Sequence, residues 1–327
     1  MFPFPVRLLS RFAVVMLMLS LVGFVVSADK TSGTSAPVQG ISLFAGKRVM
    51  VLGDSITQAG HYVSYLEYLL QKQDPQLDID LISVGLSSET TSGLSEAGHA
   101  GGKFPRPCVH ERLDRALAAV KPAVVLACYG MNDGIYLPYS EEQMAAFRDG
   151  VTRLAARCHA VGAQVILVTP PVYDNRGSGS TYDQVLAKFA AWEVASPPPG
   201  VVAVVDLHTL MAKTLSQRQQ ADASFHLSKD GIHPGDLGHL IMALAIVQGL
   251  NMATLPGTPD ELLPVINSDP LFALVKKHRE TRSQGWLQHI GYTREKVVPA
   301  GSGDINKTEM EVAQLQDEIN KQRRGSK

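Results

Sequence analysis

Val49-Met50-Val51-Leu52-Gly53-Asp54-Ser55-Ile56-Thr57 opens the organised part of this 327-residue chain. Four apolar residues without a polar interruption predict a strand buried on both faces. Gly53 breaks the run, and a stretch of helical period follows over Tyr62–Gln73, so Ser55 is expected at a strand-to-helix turn. The same alternation returns downstream. Strand-length apolar runs stand at Ile79–Val84, Ala123–Tyr129, Gln164–Thr169 and Val201–Asp206. Helical stretches at Glu111–Val120, Glu141–Val161 and Tyr182–Val194 separate them, and Gly235–Leu250 closes the series. Strand and helix in regular turn predict an α/β domain of three layers, a five-stranded parallel sheet covered on both faces. In such sheets reactive groups collect in loops at the carboxyl ends of the strands.

Outward from this core, residues 45–252 are expected to be the domain. Residues 29–44, rich in Thr, Ser, Gly, Ala and Pro, read as a linker. Residues 253–300 contain helical fragments with Pro264 and Pro299, expected to be an extension packed on the domain with Trp286 in a core. Residues 301–327 read as a charged tail, a solvated or partly disordered helix. At the other end, Arg7 and Arg11 precede an apolar run from Phe12 to Val26, and Val26-Ser27-Ala28 supplies small residues for cleavage. That is the three-part pattern of a secretory signal peptide over residues 1–28. An uncleaved N-terminal anchor is the alternative. Either way an exported protein, periplasmic or secreted, is expected. No Cys follows the apolar run to accept a lipid.

Bulk composition excludes more than it assigns. Apolar residues make 45% and charged residues 19%, ordinary for a globular protein, and the formal net charge is −1. Nothing electrostatic favours nucleic acid, or a membrane surface beyond the N-terminal segment, as a partner. Cys108, Cys128 and Cys158 are an odd set, so at least one thiol is unpaired in an exported protein. Cys128 ends a strand run and is expected to be buried. None has metal-ligand spacing.

Four loops carry the chemistry. Gly53-Asp54-Ser55 alone is common turn and cap material. Placed after a strand and before a helix, Ser55 presents its hydroxyl where the helix N-terminus adds positive potential for an oxyanion. The third strand breaks at Gly130-Met131-Asn132-Asp133, and an Asn amide supplies N–H donors of the kind an oxyanion needs. In Asp230-Gly231-Ile232-His233-Pro234 a carboxylate three residues before an imidazole can orient it as a general base. Asp236 and His239 repeat that spacing, but at the start of a helical stretch, where Asp236 complements the helix N-terminus. Asp206 and His208 have the wrong spacing, and His226 takes no role. The fourth loop, Gly85-Leu86-Ser87-Ser88-Glu89-Thr90-Thr91, follows the second strand.

In this order and at these strand ends, the chain resembles the SGNH (GDSL-type) serine hydrolases, named for Ser, Gly, Asn and His from four sequence blocks. The likeness spans about Lys47 to Leu250 and implies the family's flavodoxin-like fold. By the resemblance Ser55 is the nucleophile, His233 its base and Asp230 the residue orienting the base. The oxyanion donors are the backbone N–H of Ser55, a second-block N–H and the Asn132 amide. Aligned on Glu89-Thr90-Thr91, the second-block position is Ser88 where relatives often carry Gly. An alternative alignment gives that role to Gly85. The implied reaction is hydrolysis of a carboxylic ester through an acyl-enzyme, with no metal or organic cofactor.

The substrate is less determined. O-acetylated carbohydrate is the first expectation, for an ester carried on a small molecule or polysaccharide. A lysophospholipase or thioesterase on the same site, and a non-catalytic carbohydrate-binding protein on an esterase scaffold, are the alternatives. Gly98-His99-Ala100-Gly101-Gly102-Lys103-Phe104-Pro105-Arg106-Pro107 lacks the Gly-Lys-Ser/Thr of a phosphate loop and reads as an excursion beside the site.

Overall fold

The computed structural model describes residues 40–73, 77–175, 179–252 and 256–325. The expected signal peptide, residues 1–28, and residues 29–39 of the expected linker lie outside the described residues. Five strands, β1 (Arg48–Gly53), β2 (Asp80–Ser83), β3 (Val124–Cys128), β4 (Gln164–Val168) and β5 (Val201–Val205), form one sheet. All pairings are parallel and the order is β2-β1-β3-β4-β5. Val49–Leu52 of β1 and Val124–Leu126 of β3 have no exposed surface, as uninterrupted apolar strands between two helical layers require.

The strand order fixes the layers. The chain leaves β1 toward β2, then returns across β1 to β3, and from there continues in one direction. Right-handed crossovers therefore place α1 (Ser55–Ala59) and α2 (His61–Gln73) on one face. The helices α3 (Leu113–Val120), α4 (Glu141–Ala160) and α5 (Tyr182–Ala195) lie on the other. After β5 an unexpected helix, α6 (Leu207–Ala221), is capped by Asp206, whose carboxylate accepts from the Thr209 N–H. Its weakly patterned apolar residues gave no clear helical period, yet Leu207 and Met211 are fully buried. The helix α7 (Asp236–Gly249) then packs against α2. Reversal of direction at β1 opens a crevice between the ends of β1 and β3, the position where open α/β sheets place their ligands.

Two boundaries differ from expectation. Residues 40–44, the end of the expected linker, are packed rather than free. Gly40–Leu43 form a 3-10 turn, and Leu43 and Phe44 enter the core. The expected solvated tail is the helix α10 (Ile305–Gly325), packed on α9 (Pro270–Ile290). Its buried Val312, Leu315 and Ile319 recur at helical spacing, a narrow stripe hidden among charges in the sequence. The extension also contains α8 (Pro259–Ser268), which begins with a Thr258/Glu261 capping box and Pro259 in its first turn. Trp286 of α9 is buried, as expected. A two-stranded hairpin, β6 (Tyr292–Thr293) with β7 (Val297–Val298), joins α9 to α10.

Candidate active site

Ser55 is the first residue of α1, directly after β1. The turn is fixed from both sides. Asp54 caps the helix, its Oδ1 accepting from the Ile56 N–H at 2.9 Å. Gly53 lets β1 run tightly into α1, since a Cβ there would stand 2.1 Å from Thr57 Oγ1 and 2.7 Å from the Cys128 carbonyl. Gly53 also pairs with Cys128 of β3, so the turns carrying Ser55 and Asn132 leave neighbouring strand ends.

Ser55 Oγ lies 2.8 Å from His233 Nε2, and His233 Nδ1 lies 2.7 Å from Asp230 Oδ2. The chain thus brings residues 178 positions apart into hydrogen-bond contact. The other oxygen of Asp230 accepts from the N–H groups of Ile232 and His233 at 2.9 and 2.8 Å. Partial burial opposes ionisation of Asp230. Hydrogen bonds from the His233 ring and the two N–H groups outweigh it and hold the carboxyl below its usual range. A carboxylate fixed on Nδ1 leaves Nε2 facing the serine hydroxyl, the arrangement of a general base.

Sequence reading missed the support for this loop. Asp174, buried after β4, accepts from Leu227 N and Ser228 N through Oδ2 and meets His226 Nδ1 at 3.2 Å through Oδ1. Its own N–H donates to the Gly231 carbonyl at 2.8 Å. The available signal was Tyr173-Asp174-Asn175 in the loop that follows β4. The decoys fall elsewhere. His239 is buried inside α7 against His61 and Tyr62, and burial with neighbouring positive charge pushes its pKa to about 3. His208 lies in α6, its N–H bonded to Thr169 Oγ1.

Ser88 and Gly85, the two candidate positions of the second-block loop, differ in geometry. Ser88 has φ 67°, a left-handed value that Gly adopts without strain. Its N–H makes no hydrogen bond among the described residues. Gly85 is committed elsewhere, because a Cβ there would stand 2.5 Å from Gln58 N, against α1. Ser88 therefore occupies the backbone position where glycine is at ease. What holds it there is buried. Glu89 pairs with Arg112 through two bonds of 2.7 Å, and accepts from Tyr129 OH at 2.6 Å. Asp133 ties the loop to the third block. Its Oδ1 accepts from Thr91 N, Thr91 Oγ1 and Ser92 N, and its Oδ2 accepts from Gly130 N.

Asn132 is buried beside this loop, with Nδ2 donating to the Glu89 carbonyl at 3.2 Å. Asp54, the residue before Ser55, is buried too. Burial, with Asp133 and Glu89 near, raises its pKa to about 7, although the Ile56 N–H and the His233 charge pull the other way. The three cysteines are all free thiols, with Cys128 and Cys158 buried and Cys108 partly so. Among the described residues, no group of three or more His, Cys, Asp or Glu is placed to hold a metal ion.

A model of the GDSL-like lipase/acylhydrolase family matches residues 51–241. Curated protein sequences give no match. Among solved structures, a gut microbial diltiazem-metabolising enzyme superposes with a TM-score of 0.53 at 19% identity. The match covers 64% of this chain and 47% of that one, so the chain spans under half of that enzyme's length. A mutant of Axe2, an acetyl-xylooligosaccharide esterase from Geobacillus stearothermophilus, superposes with a TM-score of 0.50 at 20% identity, over 66% of this chain and 99% of that one. At these identities the likeness is one of fold.

Proposed function

Because this chain belongs to the GDSL-like lipase/acylhydrolase family, and is thereby a hydrolase of ester bonds, we propose that it is an exported serine esterase acting on O-acetylated carbohydrate through Ser55, His233 and Asp230. The observation that carries the mechanism is the continuous path from Ser55 Oγ through His233 to Asp230, at 2.8 and 2.7 Å. Ser55 attacks the ester carbonyl as His233 Nε2 takes its proton, and Asp230 holds the Nδ1–H tautomer and steadies the cation formed. The tetrahedral oxyanion is met by the N–H groups of Ser55 and Ser88 and by the Asn132 amide. His233 returns the proton to the leaving alcohol. Water, activated by the same imidazole, then releases the acid and restores Ser55.

O-acetylated carbohydrate is favoured by the likeness of fold to Axe2, an acetyl-xylooligosaccharide esterase. Export rests on the N-terminal pattern alone, and secretion of the full chain with loss of residues 1–28 checks it. The enzymatic test is acetate release from acetylated xylo-oligosaccharides, other acetylated glycans and p-nitrophenyl esters of increasing chain length. Wild type is expected to hydrolyse acetyl esters and Ser55→Ala to lose turnover by about 10⁴-fold or more. Turnover that rises with acyl length would move the substrate to lipids or thioesters. Absence of Ser55-dependent release on every ester would leave a binding protein.

A further inference from the structure

The glycine-rich stretch after β2 takes no part in the triad, yet its end reaches the oxyanion side of the site. Arg106 is buried, and Glu96 grips it through two bonds, Nε to Oε2 at 2.7 Å and Nη2 to Oε1 at 2.6 Å. Its remaining arm, Nη1, donates to Asn132 Oδ1 at 2.9 Å. Tyr136 OH donates to the same oxygen at 3.1 Å, and the Tyr136 ring lies 5.2 Å from the guanidinium carbon. The main chain is tied down as well. Arg106 N donates to Ser95 Oγ at 2.9 Å, and the next residue, Pro107, accepts from Thr90 N through its carbonyl at 2.9 Å.

We propose that Arg106 is a positioning residue of the oxyanion site, acting through Asn132 to fix which end of its carboxamide faces the reaction and to strengthen the N–H it offers. This rests on the esterase reading above. A carboxamide is nearly symmetric in shape, and a half-turn about its last bond exchanges oxygen for NH2. The flipped form would present a carbonyl oxygen to a developing oxyanion, a repulsion in place of a donor. Arg106 forbids the flip because a guanidinium has donors only. The Glu89 carbonyl forbids it from the opposite side, because it has acceptors only. Flipping would set two N–H groups against each other on one side and two oxygens on the other, both buried, at the full cost of unsatisfied polar groups. Donation from a cation to Oδ1 also draws electron density from the amide nitrogen, so the Nδ2–H becomes a better donor. Glu96 directs the guanidinium and neutralises it, which keeps Arg106 from serving as an anion site for substrate.

The test is a double-mutant cycle on a short-chain ester. Arg106→Met is expected to lower kcat by on the order of 10- to 100-fold with KM changed by less than about twofold. Arg106→Lys, whose ammonium cannot span Glu96 and Asn132 with the same fork, should fall between. Placed in Asn132→Ala, Arg106→Met should cost under about twofold more, since its route to the substrate is gone. An undiminished loss in the Asn132→Ala background, or a loss confined to KM, would overturn the proposal. A second readout needs no turnover. In Ser55→Ala the side-chain amide protons of Asn132 should give one sharp, downfield-shifted NMR pair that collapses on adding Arg106→Met, and an unmoved pair would also overturn it. The two readings fail separately: loss of Ser55-dependent hydrolysis removes the esterase, while the amide spectrum still judges Arg106.

Discussion

The two halves of the site are built in opposite ways. The proposed base side, Asp230 and His233, is close to half exposed, its carboxylate bonded within one short loop that Asp174 anchors from behind. The oxyanion side is buried, and its supports come from far along the chain. Glu89 meets Arg112 and Tyr129, and Asn132 meets Arg106, with side chains almost entirely removed from water. The difference follows from what each must do. A base exchanges protons with substrate and water, so exposure serves it. A donor for a charge that exists only in the transition state must already be aimed when that charge forms, and a dry, over-determined surround does this best. Chemistry and stability should therefore separate across the site.

After Ser55→Ala, Asp230→Asn gives the largest expected effect and tests the base side. It should lower kcat by about 10³- to 10⁴-fold, because the His233 tautomer is no longer held. The thermal midpoint should stay nearly unchanged, as the group is exposed. A drop of many degrees would show that the loop depends on that carboxylate for its fold. Glu89→Gln tests the other side and should do the reverse first. It leaves the Arg112 charge buried without its partner, an expected loss of about 3–5 kcal/mol measured by chemical denaturation. Unchanged stability would mean that water reaches Arg112. Kinetics on whatever folded protein remains should then show reduced turnover, as the Ser88 backbone loses its anchor.

The smallest expected effect concerns Asp54, which lies between the halves. Burial holds its carboxyl near 7 in the fold, against 3.8 for an ordinary aspartate. Between these values the unfolded chain binds fewer protons than the folded one, so stability falls as pH rises from about 4 to about 7. Asp54→Asn removes that loss while keeping an oxygen to cap Ile56. Its thermal midpoint should exceed that of wild type by more at pH 8 than at pH 5, a difference of about 2–3 kcal/mol in stability. An equal gain at both pH values would show that Asp54 does not titrate in this range.

Legibility followed the same division. The strands were readable because apolar runs buried on both sides need no knowledge of their neighbours, and their observed bounds lie within a residue or so of the runs. Ser55, Asp230 and His233 were readable because each belongs to a short local motif at a strand end. Asp174, Arg106 and Arg112 were not, because what they do depends on partners 10 to 53 residues away whose spacing carries no period. The α10 stripe was missed for another reason. Three apolar residues among many charges say little until α9 supplies the surface they cover.

The amino-acid sequence by itself determined the alternation of strand and helix, the strand-end position of Ser55 and the local pairing of carboxylate with imidazole, since each is written within a few residues. Tertiary structure alone decided that Ser88 rather than Gly85 holds the left-handed position, that His239 is core, and that Arg106 addresses Asn132. Those outcomes depend on which backbone approaches which side chain across the crevice between β1 and β3, and only the closed sheet sets that distance.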